Sequence, residues 1–141
     1  MWKYIFMAIF FSATAVAQQE SNPPTPFPEK DAAEIAPVFP GCEESDNLKA
    51  CFHEGIMNHI RMNFRYPDEA LAKNIQGKVY VSFIIDIKGY VQDIKVRGPH
   101  VILETEAKRI ISKLPRMVEP GKLGELPVVY NYSVPITFKM S

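Results

Sequence analysis

The chain has 141 residues, of which 47% are hydrophobic and 23% are charged, which is enough for one small domain with a core and too few for two. Its 16 basic residues balance its 16 acidic residues, so the net charge is zero. This balance argues against binding to nucleic acid or to anionic lipid, because no net field draws the chain toward them.

Residues 1–17 have the features of a secretory signal peptide. Lys3 gives a positive start, residues 4–13 are an apolar run, and residues 15–17 are a small-residue cleavage pattern. A membrane-spanning helix needs about 20 apolar residues, and this run is shorter. We therefore expect cleavage after Ala17 and export, with an uncleaved inner-membrane anchor as the alternative.

Residues 18–38 form a proline-rich linker in this interpretation, and residues 39–141 form the folded domain. Four prolines at positions 23, 24, 26 and 28 favour an extended polyproline conformation in the linker. We expect a spacer without a binding role, and a proline-recognition motif is the alternative.

Cys42 and Cys51 are expected to form a disulfide bond, because an exported chain enters an oxidising compartment. Two other interpretations are weaker. A redox catalyst would carry Cys-x-x-Cys, and a zinc site would need two more ligands. His53 and His59 are six residues apart, which places them on different faces of a helix. We expect no metal site.

Two helices are predicted at the start of the domain. Asp46 can cap the first helix, and its apolar residues recur at intervals of three and four: Leu48, Cys51, Phe52, Ile56, Ile60 and Phe64. Tyr66-Pro67 ends this helix. A second, short helix is expected from Pro67 to Asn74, since proline is tolerated in a first helical turn.

A β-hairpin and a third helix follow. Lys78–Asp86 alternates apolar and polar residues, Gly89 supplies the positive φ of the turn, and Tyr90–Val96 returns as a second strand. Asp86 is expected to be a residue of the hairpin rather than a catalytic acid. The third helix, of about twelve residues, is marked by Leu103, Ala107, Ile110, Ile111 and Leu114.

The final segment, Val128–Met140, has strong strand character and contains a proline. Proline has no N–H to donate to a neighbouring strand, so within a sheet it is found on an edge strand or at a bulge. Pro135 therefore predicts that the last strand lies at an open edge. Its even-numbered residues from Val128 to Phe138 would face the core, and Asn131, Ser133 and Thr137 would face the other side. We expect the aromatic pair Tyr130 and Tyr132 to pack in the core, with contact to a bound peptide as the alternative.

The predicted fold class is α+β, with a three-stranded sheet covered by helices on one face. The order of short motifs resembles the carboxy-terminal domain of TonB over residues 40–140. The motifs are Tyr66-Pro67-Asp68-Glu69-Ala70, Ile75-Gln76-Gly77-Lys78-Val79, Asp86, Gly89-Tyr90-Val91 and Glu119-Pro120-Gly121-Lys122, followed by the final strand. The two cysteines are similar to those of a disulfide-bearing branch of the family. The resemblance implies an antiparallel αββαβ domain in the periplasm of a Gram-negative bacterium.

The resemblance also implies a binding site and a partner. Family members bind the plug peptide of TonB-dependent outer-membrane transporters along the last strand, by β-strand addition. Carried over to this chain, the site is the backbone of that strand, with Tyr66 and Pro67 nearby. The strand residues are Val128, Val129, Tyr130, Asn131, Tyr132, Ser133, Val134, Ile136, Thr137 and Phe138.

Three functions remain open from the sequence. The first is a peptide-binding adaptor for these transporters. The second is a structural subunit that uses the same edge for another envelope protein or for a second copy of itself. The third is an energy transducer that keeps residues 1–17 as an anchor. An enzyme, a cofactor and a small-molecule substrate are not expected, because we find no nucleophile–base pair, phosphate-binding loop or ligand cluster.

Overall fold

The computed structural model describes residues 34–141, so the signal peptide and most of the linker lie outside the described residues. Three helices and six strands are present in this part of the chain. In chain order they are β1 (Glu34–Ile35), α1 (Leu48–Asn63), α2 (Asp68–Ala72), β2 (Gly77–Ile85), β3 (Val91–Arg97), α3 (Val101–Ser112), β4 (Lys122–Leu123), β5 (Leu126–Pro127) and β6 (Tyr130–Phe138). No helix within residues 34–141 is both long and apolar enough to cross a bilayer.

The main sheet is antiparallel and has the order β3-β2-β6. Strand β2 is central, and it pairs with β6 along its whole length, from Gly77 opposite Phe138 to Ile85 opposite Tyr130. Alternate residues of β2 are buried, as their spacing predicts, because successive side chains of a strand point to opposite faces. These residues are Val79, Val81, Phe83 and Ile85.

Helices α1 and α3 supply the other half of the core. Phe52 and Ile56 of α1 and Leu103, Ala107, Ile110 and Ile111 of α3 are fully buried, and they form one cluster with the inner face of the sheet. The opposite face of the sheet carries exposed residues such as Tyr80 and Pro135. The prediction of an α+β domain with helices on one face of a three-stranded sheet is confirmed.

The cap of α1 differs from the prediction by one residue. Asn47, not Asp46, is the N-cap, and its Oδ1 accepts a hydrogen bond from the Ala50 N–H at 3.1 Å. Both residue types cap helices well, so local chemistry does not decide between them.

The hairpin between β2 and β3 is closed by Asp86, as expected. Its carboxylate accepts hydrogen bonds from the N–H groups of Lys88 and Tyr90, both at 2.9 Å. Desolvation acts to raise the pKa of Asp86, but these hydrogen bonds outweigh it together with one from the Gln92 side chain and the charge of Lys88, so the pKa lies below its ordinary value. Gly89 has φ +89°, and a Cβ there would lie 2.7 Å from the carbonyl oxygen of Met117. Glycine is therefore required at this turn.

A second, small sheet was not predicted. It has the order β1-β4-β5 and is extended by a bridge between Val38 and Glu119. Ala36, Pro37 and Val38, which follow β1, are buried. The linker assigned to residues 18–38 is therefore too long at its carboxyl end, because residues 34–38 are part of the fold.

The disulfide between Cys42 and Cys51 is present. It joins residues 34–42, which we call the entering segment, to the first turn of α1. The ring of Phe39 packs edge-on against Phe52, with the centroids 6.5 Å apart. Gly55 makes this contact possible, because a Cβ at that position would lie 2.5 Å from the Phe39 ring.

Candidate functional site: the open edge of β6

Strand β6 lies at an edge of the main sheet, as Pro135 predicts. Within residues 34–141 it pairs with β2 on one side and with no strand on the other. The strand begins two residues later than expected, at Tyr130. Val128 is held instead by the preceding loop, since its N–H donates to the Gly121 carbonyl at 2.9 Å, and Val129 is exposed.

The register of β6 shows which backbone groups face outward. Its pairing with β2 runs without a shift through the pair of Tyr80 and Pro135. A proline directed at β2 would interrupt this ladder, because it has no N–H to donate. The backbone of Pro135 therefore points away from β2, and so do the other odd-numbered residues, because the direction alternates along a strand. We call the N–H groups of Asn131, Ser133 and Thr137 the edge amides.

The edge amides are free of other partners. Neither the turn and loop hydrogen bonds nor the side-chain hydrogen bonds of residues 34–141 involve them. The side chains of the same three residues are exposed, on the face of the sheet opposite the helices. A row of unpaired N–H and C=O groups of this kind is a template for an added strand.

The inner face of β6 begins with an aromatic cluster. The ring of Phe52 packs edge-on against Tyr130 and Tyr132, with centroid separations of 5.6 Å and 5.0 Å. The hydroxyl of Tyr132 also shares a hydrogen bond with Nδ1 of His53. Burial raises the pKa of Tyr132 above its ordinary value, and the neighbouring Tyr130 adds to the shift. Both tyrosines thus contribute to packing, and neither ring is fully buried.

A groove lies between α1 and the second half of β6, and sequence reasoning missed it. We call it the Met57 groove; its volume is about 310 Å³, and its lining residues are Met57, Ile60, Arg61, Phe64, Pro135, Ile136 and Thr137. Met57 and Phe64 are half-buried, whereas Arg61 is exposed at the rim. The sequence does indicate that His53, Met57 and Arg61 share one face of α1, because they follow each other at intervals of four. The sequence does not say which strand this stripe lies against.

The family motif Tyr66-Pro67 lies near the end of β6, but the two residues have different surroundings. The Tyr66 ring packs edge-on against Phe138, 5.8 Å between centroids, and its hydroxyl donates to the Ile75 carbonyl at 2.5 Å. Pro67 precedes α2 and lies beside Val101 and Ile102 of α3. From this segment Phe64, rather than Pro67, lines the groove at the edge of β6.

The remaining histidines have partners within the fold. Nε2 of His59 donates to the Ile110 carbonyl at 2.7 Å, and Nδ1 of His100 accepts from the Ile102 N–H at 3.1 Å as the cap of α3. In the described part of the chain, no group of three or more histidine, cysteine, aspartate or glutamate side chains is arranged to hold a metal ion.

A known protein family and two solved structures resemble this chain. Residues 62–140 match the model of the family described as Gram-negative bacterial TonB protein C-terminal. Two solution structures of the Helicobacter pylori TonB carboxy-terminal domain are similar to this chain. The structure of residues 179–285 has 27% sequence identity and a TM-score of 0.53, and the match covers 68% of this chain and 87% of that one. The structure of residues 194–285 has 29% sequence identity and a TM-score of 0.46, and the match covers 62% of this chain and 92% of that one. No curated protein sequence gave a match. The family match spans more than half of the chain, which therefore belongs to the TonB carboxy-terminal domain family.

Proposed function

We propose that this domain binds extended peptide segments by β-strand addition to the open edge of β6. Its partner in this proposal is the periplasmic plug segment of a TonB-dependent outer-membrane transporter. The observation that carries the proposal is the row of edge amides, which have no partner in residues 34–141. Family membership and the likeness to a TonB domain support the choice of partner.

The edge suits transient binding. An added strand would find three N–H donors and four carbonyl acceptors on the odd-numbered residues 131–137. Each hydrogen bond contributes about 0.5–1.5 kcal/mol net, and ordering a loose peptide opposes binding. We therefore expect affinities in the micromolar range or weaker, as expected for a contact that is made and released repeatedly.

The first experiment is a titration of the ¹⁵N-labelled protein with synthetic peptides that tile the plug segments of transporters from the source bacterium. Binding should move the NMR signals of the edge amides and slow their exchange with solvent. The amides of Tyr132 and Val134 already face β2, so their protection should change little. Binding without protection of the edge amides would contradict strand addition.

A matched pair of variants tests the same point. Ser133→Pro removes one edge amide and places a ring where the incoming carbonyl must lie, so the affinity should fall about tenfold or more. Ser133→Ala keeps the N–H and should bind as the wild type does. Neither change touches the ladder with β2, because the backbone of Ser133 points outward. Equal binding by Ser133→Pro and Ser133→Ala would exclude the edge as the docking site.

Crosslinking in cells separates this proposal from a structural role. An adaptor should be recovered with several transporters in amounts that vary with their expression. Recovery of one stoichiometric partner, or only of a second copy of the chain, would assign the edge to a permanent assembly instead.

A further inference from the structure

The open edge of β6 is interrupted at Pro135. The carbonyl of this residue faces outward and can accept a hydrogen bond, but it has no N–H to offer. The carbonyl of an added strand opposite Pro135 therefore finds no donor, whereas Asn131, Ser133 and Thr137 offer both groups. The edge is thus a ladder with one missing bond, three residues from the end of the strand.

The Met57 groove opens beside this gap. Its volume, about 310 Å³, lies at the lower end of the range for ligand pockets, which suits one large side chain rather than a whole ligand. Met57, Ile60, Phe64 and Ile136 provide apolar walls. At its rim, Arg61 forms none of the ion pairs found within residues 34–141.

The geometry of α1 and β6 sets which side chains of an added strand reach the groove. A step of four residues along a helix is about 6.0 Å, and a step of two along a strand is about 6.6 Å. The two elements run side by side, because His53 contacts Tyr132 at one end and Arg61 lies near Ile136 at the other. Alternate residues of an added strand would therefore face His53, Met57 and Arg61 in turn. The side chain of the residue opposite Ile136 would enter the groove.

We propose that Pro135 and the Met57 groove together determine the register and the sequence preference of the docked peptide. This inference rests on the proposed function and names the peptide class. The backbone of the peptide binds at Asn131 and Ser133, and its carbonyl opposite Pro135 has no donor to pair with. A large apolar side chain of the next peptide residue, opposite Ile136, anchors the peptide in the groove. Because the rim carries the Arg61 cation, the anchor has an acidic rather than a basic neighbour.

The test uses the purified full chain and a phage library of random nine-residue peptides. Selected peptides should share one large apolar residue, and its replacement by alanine should weaken binding at least tenfold. Pro135→Val restores the missing donor and keeps an exposed, strand-compatible side chain. The same peptides should bind this variant about 2- to 13-fold more tightly, the range expected for one hydrogen bond. The midpoint of thermal unfolding of Pro135→Val, compared with that of the wild type, verifies that the variant keeps the fold.

A second pair of variants isolates the groove. Met57→Ala should weaken the anchored peptides at least fivefold and leave peptides already truncated at the anchor unchanged. Asn58→Ala is the control, because Asn58 is the next residue of α1 and faces a different surface. Three results would each overturn the inference. The first is equal peptide affinity of the wild type and Pro135→Val, and the second is an equal effect of Met57→Ala on both peptide sets. The third is a selection that yields no peptide protecting the edge amides from exchange.

The two proposals fail in different ways. If transporter peptides bind and Pro135→Val has no effect, the proposed function holds and this inference is wrong. If no transporter peptide binds and the library still gives anchored binders that depend on Pro135, the inference holds and the proposed partner is wrong.

Discussion

The disulfide between Cys42 and Cys51 is expected to contribute strongly to the stability of this small domain. It closes a short loop, with a sequence separation of 9, in which the chain passes from the entering segment into α1. In the loop-closure model a ring of this size stabilises the fold by about 2.5 kcal/mol, because it restricts the unfolded chain. Replacing both residues, as Cys42→Ser with Cys51→Ser, removes this constraint without leaving an odd thiol.

The entering segment should remain attached in this variant. The Val38 N–H donates to the Glu119 carbonyl at 3.0 Å, and the Val118 N–H donates to the Val38 carbonyl at 2.8 Å. The Phe39 ring keeps its contact with Phe52. The change should therefore lower the free energy of unfolding without removing an element of the fold.

Urea and thermal unfolding measure the effect. For a domain of 60–100 residues, 1 kcal/mol corresponds to about 4–8 °C, so we expect the midpoint to fall by about 10–20 °C. A reducing agent should produce the same fall in the wild type and no change in the double-serine variant, which is the control. Coincident unfolding curves of the oxidised and reduced wild type would refute the loop-closure argument. A reduced protein with no cooperative transition would show that the disulfide is required for folding itself.

Three further predictions follow from other parts of the chain. In the free protein the edge amides should exchange with solvent much faster than the even-numbered amides of β6, and uniform protection along the strand would contradict an open edge. Burial raises the pKa of Tyr132, so the fold favours its neutral form. The contribution of Tyr132 to the free energy of unfolding should therefore be fully present below pH 10, the ordinary pKa, and should be lost as the pH rises through the higher pKa of the folded state. Tyr132→Phe should reduce that fall, as measured by urea unfolding across pH 8–11. Amino-terminal sequencing of the native protein should begin at Gln18, and a terminus at Met1 would assign residues 1–17 to an anchor.

The central features of the fold could be predicted because they depend on local rules. The alternation of apolar and polar residues in β2 identifies its buried face, since side chains of a strand point to the same face at every second residue. The turn at Asp86 and Gly89 needs a carboxylate acceptor and a positive φ, and few residue types supply them. Pro135 identified the edge strand in the same way. Proline has no N–H to donate to a neighbouring strand, and this holds whatever the distant residues are.

Other features depend on contacts between distant residues, and the sequence did not indicate them. Strands β1, β4 and β5 are two residues long, so they show no periodicity, and β1 forms only because the entering segment reaches β4. The Met57 groove depends on the position of α1 beside β6, which brings together His53 and Tyr132, 79 residues apart. The sequence also does not distinguish Asn47 from Asp46 as the cap of α1, because both side chains can cap a helix.

In the proposed binding mode, Pro135 both protects the edge of β6 and makes it selective. An exposed edge strand invites pairing with any extended chain, and natural proteins use proline to limit such pairing. Pro135 can serve this purpose without cost to the sheet, since its backbone faces away from β2. A partner that accepts the gap must replace the lost hydrogen bond with another contact, and the Met57 groove provides one beside it. In the proposed binding mode, the same proline that protects the edge from unspecific chains also favours a peptide with the right anchor. Specificity in this mode depends on one absent donor as well as on the donors that remain.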